Sequence, residues 1–231
     1  DARMALNILE QAAALVTVGG RLDTALIEKV LGQRIYSYDK KGDNHYDTIS
    51  AFIKSMRGSD PDAAVYYLAK MLYGGESVTF IARRIMICAS EDVGNADPQA
   101  LQVAVAASQA VERLGMPEAR ITLAQAAAYV ACAPKSNAAI MAIDEAMALV
   151  RSTQAAPVPP YLQDAHYGGA AKLGHGIGYK YAHDYPNHYV RQQYLPDAFK
   201  DQKFYHMGDL GYEKEMKEHM RRIRGDESDE E

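Results

Sequence analysis

The spacing of apolar and polar positions is helical along most of the chain. Residues 1–18 place Ala5, Leu6, Ile8, Leu9, Ala12, Ala13, Leu15 and Val16 three and four apart and stop at Gly19-Gly20, which predicts a short amphipathic helix. A second covers residues 24–31, with Leu26, Ile27, Val30 and Leu31 apolar and Gly32 as its stop. The polar, basic stretch 33–42 reads as a connector between this helical pair and the main block.

From Asp43 the punctuation becomes regular. Asp43 can cap a helix that runs to Arg57 and stops at Gly58; Asp60-Pro61 opens another that ends at Gly74-Gly75. From Glu76 onward Val78, Ile81, Ile85 and Cys88 form one stripe, a core-facing row from which Arg83 and Arg84 are excluded. Residues 98–114 and 117–133 are Ala-rich and apolar on most sides, the pattern of helices buried among other helices. Residues 136–151 repeat the pattern, with Ile140, Ile143, Met147 and Val150 as their stripe. About six helices joined by short connections are expected of an antiparallel bundle or a solenoid, and no fixed-period signature recurs that would mark a repeat protein.

Between the third and fourth of these helices lies the stretch 89–98, Ala-Ser-Glu-Asp-Val-Gly-Asn-Ala-Asp-Pro. Gly94 can adopt the left-handed conformation that closes a helix, Asp97 can accept the free N–H groups of the next one, and Pro98 pre-shapes its first turn. The stretch therefore predicts a corner between two packed helices.

After Thr153 the pattern dissolves. Pro157, Pro159 and Pro160 mark an extended linker, and nine of the sixteen tyrosines fall between Tyr161 and Tyr212. A tyrosine offers a large apolar body with a polar tip, which suits packing over a surface or a subunit interface. The expectation is irregular structure with a short helix near 169–173, a strand pair using 179–181 and 203–205, a final helix over 212–223 and a disordered acidic tail at 226–231. The fold class is thus all-α: a multi-helix antiparallel bundle with a Gly/Tyr/His-rich extension. The domain reading is 1–32, connector 33–42, helical domain 43–153, extension 154–225 and tail.

Composition narrows the function. With 48% hydrophobic residues the chain can build a packed core. No apolar run reaches membrane-spanning length and no leader is visible, so a cytoplasmic location is expected. A net charge of −5 lacks the positive excess of a dedicated nucleic-acid-binding domain. Cys88 and Cys132 lie in apolar helical contexts and are expected as buried, reduced thiols. The chain opens at Asp1 already in helical register, which reads as a piece of a longer polypeptide.

Candidate chemistry is sparse. His166, His175, His183 and His188 lie near Asp184, but their spacing is wrong for a rigid metal site, so no metal is assigned. Gly174, Gly176 and Gly178 follow no strand and open no helix, and so read as turn glycines. Lys135-Ser136 resembles the end of a P-loop, but Ala133-Pro134 stands where glycines are required. No Ser/His/Asp or Cys/His arrangement can be assembled, so no catalytic residue is assigned. Arg83 and Arg84, with Glu91 and Asp92 two turns on, read as a structural ion network or as a contact for a partner or phosphate. Arg3 is a lone basic residue.

Several stretches in order resemble one family: Asp1-Ala2-Arg3, Lys41-Gly42-Asp43 with Tyr46-Asp47, Arg57-Gly58-Ser59, Ala82-Arg83-Arg84, the corner 89–98, 132–137 and Tyr181-Ala182-His183-Asp184. Together they are similar to the C-terminal half of the RarA/MgsA AAA+ ATPases, whose eukaryotic relatives include the Werner-helicase-interacting ATPase. The resemblance implies a lid remnant at 1–32 and an oligomerisation region beyond 43. It places Arg3 as a sensor-2-like arginine that reaches ATP bound by an ATPase core outside this chain. ATP and Mg would belong to the full-length protein, with no cofactor in this part and no Walker A or Walker B motif, so the part alone would be inactive. It further implies a homotetramer, a DNA-dependent ATPase acting in replication-fork maintenance, repair and recombination, and a nucleoid-associated location. Its partners would be single-stranded or forked DNA, single-stranded DNA-binding protein and replisome components. The alternative is a stand-alone all-α protein-interaction scaffold.

Overall fold

The computed structural model describes residues 20–27, 43–153, 156–166 and 173–225, with positions 9, 12, 13 and 16. The expectations placed on Arg3, on the connector, on all but the last residue of the helix near 169–173 and on the acidic tail lie outside the described residues. Among the described residues the chain is helical and contains no strand. The main helices are α1 (Asp43–Arg57), α2 (Pro61–Tyr73), α3 (Val78–Cys88), α4 (Gln99–Leu114), α5 (Ala119–Cys132), α6 (Ala138–Ser152) and α7 (Tyr212–Arg224). Ahead of them, residues 24–27 are helical, and the Asp23 carboxylate accepts the N–H of Leu26 at 2.8 Å.

The chain divides into two compact units, the first formed by residues up to Ala89 and again by Gln99–Ala133. Here α5 packs against α1, α2, α3 and α4. Its composition explains this central place. Ala119, Leu123, Ala126, Ala127, Val130 and Ala131 are buried, and the small alanines let neighbours approach from several sides. The start signal of α2 works as the sequence suggests: Asp60 accepts the N–H of Ala63 at 2.9 Å with Pro61 opening the helix. Ser77, which the sequence reading did not single out, caps α3.

Two sequence expectations in this unit need correcting. Helix α4 is not buried all round: Ala100, Ala104, Ala107 and Val111 form its inner stripe, while Leu101 and Val105 face solvent. Small residues at these positions give α4 a contact row against α3 and α5. Cys88 is buried as expected, but Cys132 is exposed, because it is the last residue of α5 and the chain then turns extended at Ala133.

The second unit is formed by Ser90–Pro98 and by the chain from Pro134 onward. It holds α6, α7 and the tyrosine-rich extension, built from short 3-10 turns at Pro160–Leu162, Ala182–Asp184, Pro186–His188 and Asp197–Phe199. The expected strand pair does not form. The N–H of Tyr179 bonds to Gly176 O, that of Lys180 is taken by the Gln192 side chain at 2.8 Å, and the Lys203 carbonyl is paired with His206 Nε2 at 3.0 Å. Turn closure and side-chain acceptors thus use groups that a ladder would need.

Candidate functional site

The corner is more elaborate than a helix stop followed by a start. Ala89–Val93 widens into a π turn, and Gly94–Ala96 then tightens into a 3-10 turn. Gly94 does take a left-handed φ of 52°, and a side chain there would press on the Ser136 carbonyl at 3.3 Å. The N–H of Ser136 donates to the carbonyl of Asp92 at 2.8 Å, which ties the corner to the chain ahead of α6.

Beside this tie lies a carboxylate buried to 1% exposure, Glu213 in the first turn of α7. Three donors satisfy it: Ser136 Oγ at 2.8 Å, the Gly208 N–H at 2.8 Å and the Tyr205 hydroxyl at 2.7 Å. Tyr205 in turn accepts from Asn95 Nδ2 at 2.7 Å. A carboxylate near a helix N-terminus also gains from the helix dipole. Burial holds the Tyr205 phenol above its ordinary value, the Asn95 hydrogen bond opposes that, and Glu213 adds to it. Gly211 lets α7 come this close: its φ is 55° with ψ −141°, and a Cβ there would strike the Ala96 carbonyl and lie 2.8 Å from Pro134. The arrangement has donors, acceptors and a buried charge but no nucleophile poised on a base, so its chemistry is structural. It locks four chain segments together.

Sequence reasoning missed Glu213, Tyr205 and Ser136 as one unit. The signal was weak: an acidic residue in the first turn of a helix is ordinarily solvated, and Ser136 invited comparison with a phosphate loop. Of the residues singled out earlier, Arg83 is exposed, with its guanidinium 5.3 Å from the Phe80 ring centroid. Arg84 is half-buried, and its Nε is enclosed without a hydrogen-bond partner. Glu91 and Asp92 lie in the π turn, the first half-buried and the second buried. Gly174, Gly176 and Gly178 occupy a turn with φ of 76°, 74° and 87°; the Gly176 N–H bonds to Pro160 O, and a Cβ on Gly176 would meet Ala165. That is the geometry of turn glycines packed on their own chain rather than of a phosphate cradle. Among the described residues no group of three or more His, Cys, Asp or Glu stands close enough to hold a metal ion together. Nor is any helix there long and apolar enough to cross a membrane.

From the buried knot α6 departs. The N–H of Ala138 donates to Ser136 Oγ at 3.2 Å, and Ala138 is buried, as is no other described residue of α6. Most of the stripe that the sequence marked is therefore on the outside: Ile140 is half-buried, but Ile143 is 56% exposed, Met147 41% and Val150 70%. The physical reason is that α6, about 22 Å long, has its buried residue Ala138 in its first turn. An apolar groove of about 400 Å³ opens beside its C-terminal half, lined by Leu149, Val150, Leu195, Pro196, Phe199 and Phe204. Burying one such side chain is worth about 1.5–3 kcal/mol, so the exposed row leaves that much per residue unrealised in the single chain.

Comparison with known proteins covers both the N-terminal helices and this site. The family model described as MgsA AAA+ ATPase C terminal matches residues 58–224, and the one described as AAA C-terminal domain matches residues 1–57. The chain is 51% identical over 225 residues to an uncharacterized AAA domain-containing protein of Mycobacterium tuberculosis, covering 97% of this chain and 50% of that protein. It is 48% identical over 209 residues to replication-associated recombination protein A of Bacillus subtilis, covering 89% and 49%. With the protein of the same name from Coxiella burnetii the identity is 44% over 222 residues, covering 94% and 50%. The chain spans about half the length of the curated relatives it matches. Since one model covers most of the chain and the relatives agree with it, the chain belongs to the MgsA AAA+ ATPase C-terminal family.

Proposed function

We propose that this chain is the assembly module of a DNA-dependent AAA+ ATPase that works in replication-fork maintenance, repair and recombination. The observation that carries the assembly reading is α6, an apolar helix anchored at Ala138 with Ile143, Met147 and Val150 in solvent. Copies of the chain associate through this helix and its neighbouring groove into a homotetramer. Relatives named replication-associated recombination protein A support the biological setting. Membership of an ATPase family leaves the alternative, a free-standing interaction scaffold, without support.

In this reading ATP and magnesium are held by the ATPase core, which supplies phosphoryl transfer, and the present chain contributes Arg3 as the lid residue that senses the nucleotide. DNA, single-stranded DNA-binding protein and replisome components are partners of the whole protein, at the nucleoid. Arg83, Arg84, Glu91 and Asp92 serve as a structural network or partner contact. Light-scattering mass measurement over a concentration series tests the assembly claim. A mass of four chains is expected, and a strict monomer at every concentration would sink it.

A further inference from the structure

The tyrosine-rich extension contains one pair of side chains that neither the corner nor α6 uses. Two consecutive 3-10 turns, Ala182–Asp184 and Pro186–His188, are each closed by their own backbone bonds: Asp184 N–H to Tyr181 O at 3.0 Å, Tyr185 to Ala182 at 3.1 Å, and His188 to Tyr185 at 3.0 Å. Within the second turn the chain reverses through Asn187 and His188, both with positive φ, 56° and 51°. Two successive non-glycine residues in the left-handed region are uncommon, and such outliers cluster where geometry serves a purpose. The result of the reversal is specific. His188 Nδ1 comes to 3.3 Å from His183 Nδ1, with ring centroids 4.9 Å apart and planes tilted by 56°. The Tyr181 ring centroid lies 5.1 Å from that of His183.

Two ring nitrogens at this distance have two accounts. A single proton can lie between them as an N–H···N hydrogen bond. If instead both rings carry their proton on Nε2, two lone pairs converge, an arrangement favoured only with a cation between them. Two nitrogens bound at about 2.0–2.1 Å to a tetrahedral zinc ion lie about 3.3–3.4 Å apart, which is the separation present here. Both imidazoles are exposed, so ion and water can reach them.

We propose that His183 and His188 form a two-imidazole chelate for a borderline divalent transition cation of the zinc type. The imidazole pair selects this class over calcium or magnesium, which require oxygen ligands. No third His, Cys, Asp or Glu among the described residues joins the pair, so water completes the coordination. Bound metal clips the two turns together and fixes the orientation of the tyrosines that flank them.

The test is isothermal titration of the tag-free chain with zinc chloride in a non-coordinating buffer. One ion per chain is expected. His183→Ala and His188→Ala should each abolish the binding, while His166→Ala, which removes an exposed ring paired with Asp164, should leave it unchanged. Two-bond proton–nitrogen spectra of the histidine rings provide the second readout: zinc should shift the Nδ1 signals of His183 and His188 and no others. No saturable heat would overturn the proposal, and so would binding that survives both substitutions or spectra in which these two signals stay put. All three substitutions lie on exposed turns, and unchanged helical circular dichroism checks that each variant folds.

Discussion

Ser136 and Glu213, 77 residues apart in sequence, share a hydrogen bond of 2.8 Å that fastens the start of α6 to the start of α7. Because Glu213 is the acceptor for three donors, the cost of removing it exceeds that of one bond. Glu213→Ala leaves the Ser136 and Tyr205 hydroxyls and the Gly208 N–H without their acceptor, and a loss of about 2–4 kcal/mol is expected. Glu213→Gln should also destabilise, because its NH2 must face a donor where an oxygen stood. Urea denaturation of the variants checks both values, and equal stability of Glu213→Ala and the parent chain would exclude the knot as a source of stability.

A backbone argument makes the second prediction. Gly211→Ala places a Cβ against the Ala96 carbonyl and Pro134 in a region of φ and ψ that side chains avoid, and should cost about 3 kcal/mol or more. Gly225→Ala has the same sign of φ, 71°, but nothing within 4 Å of the added atom. It should cost about 1 kcal/mol. Thermal melts of the two variants should rank in that order.

The alkaline limb of stability should report Tyr205. Its folded phenol is held above the ordinary value near 10, so the folded state keeps this proton more firmly than the unfolded chain does. The resulting stability is fully present below pH 10 and is lost as pH rises through the raised folded value. Tyr205→Phe should lower stability at neutral pH, by removing the bond to Glu213, and flatten this alkaline loss. Denaturation midpoints measured from pH 8 upward distinguish the two slopes.

The exposed stripe gives the fourth. Ile143→Asp or Val150→Asp puts a charge where the contact surface should be desolvated, and should convert the assembled species to smaller ones by sedimentation velocity. Helix content should not change, since neither side chain lies in the core of a single chain. In the first unit the opposite holds: Ala127→Leu forces bulk into the fully buried face of α5 and should cost about 1–3 kcal/mol without altering oligomer size.

Much of the helical block was legible in the sequence. Apolar periodicity and the short signals at Gly58, Asp60-Pro61 and Gly94 depend on neighbours a few residues away, and such local chemistry acts the same way in any surroundings. For the same reason the resemblance of its ordered motifs to the MgsA family could be read before any geometry. Periodicity, however, says only that a helix has an apolar side. It does not say whether that side meets the same chain. On α3 the stripe Ile81, Ile85 and Cys88 became core, whereas on α6 Ile143, Met147 and Val150 remained in water, because the buried residue of α6, Ala138, lies in its first turn.

The corner marks the boundary most sharply. The sequence alone determined that residues 89–98 turn the chain between two helices and that Gly94 takes a left-handed conformation. Only the tertiary structure decided that the turn is anchored by Ser136 and Tyr205, and that a carboxylate from the last helix is sheltered beside it. Capping is settled within one turn of chain. A buried charge is tolerable only where donors from distant segments converge on it, and that convergence is a property of the packed fold.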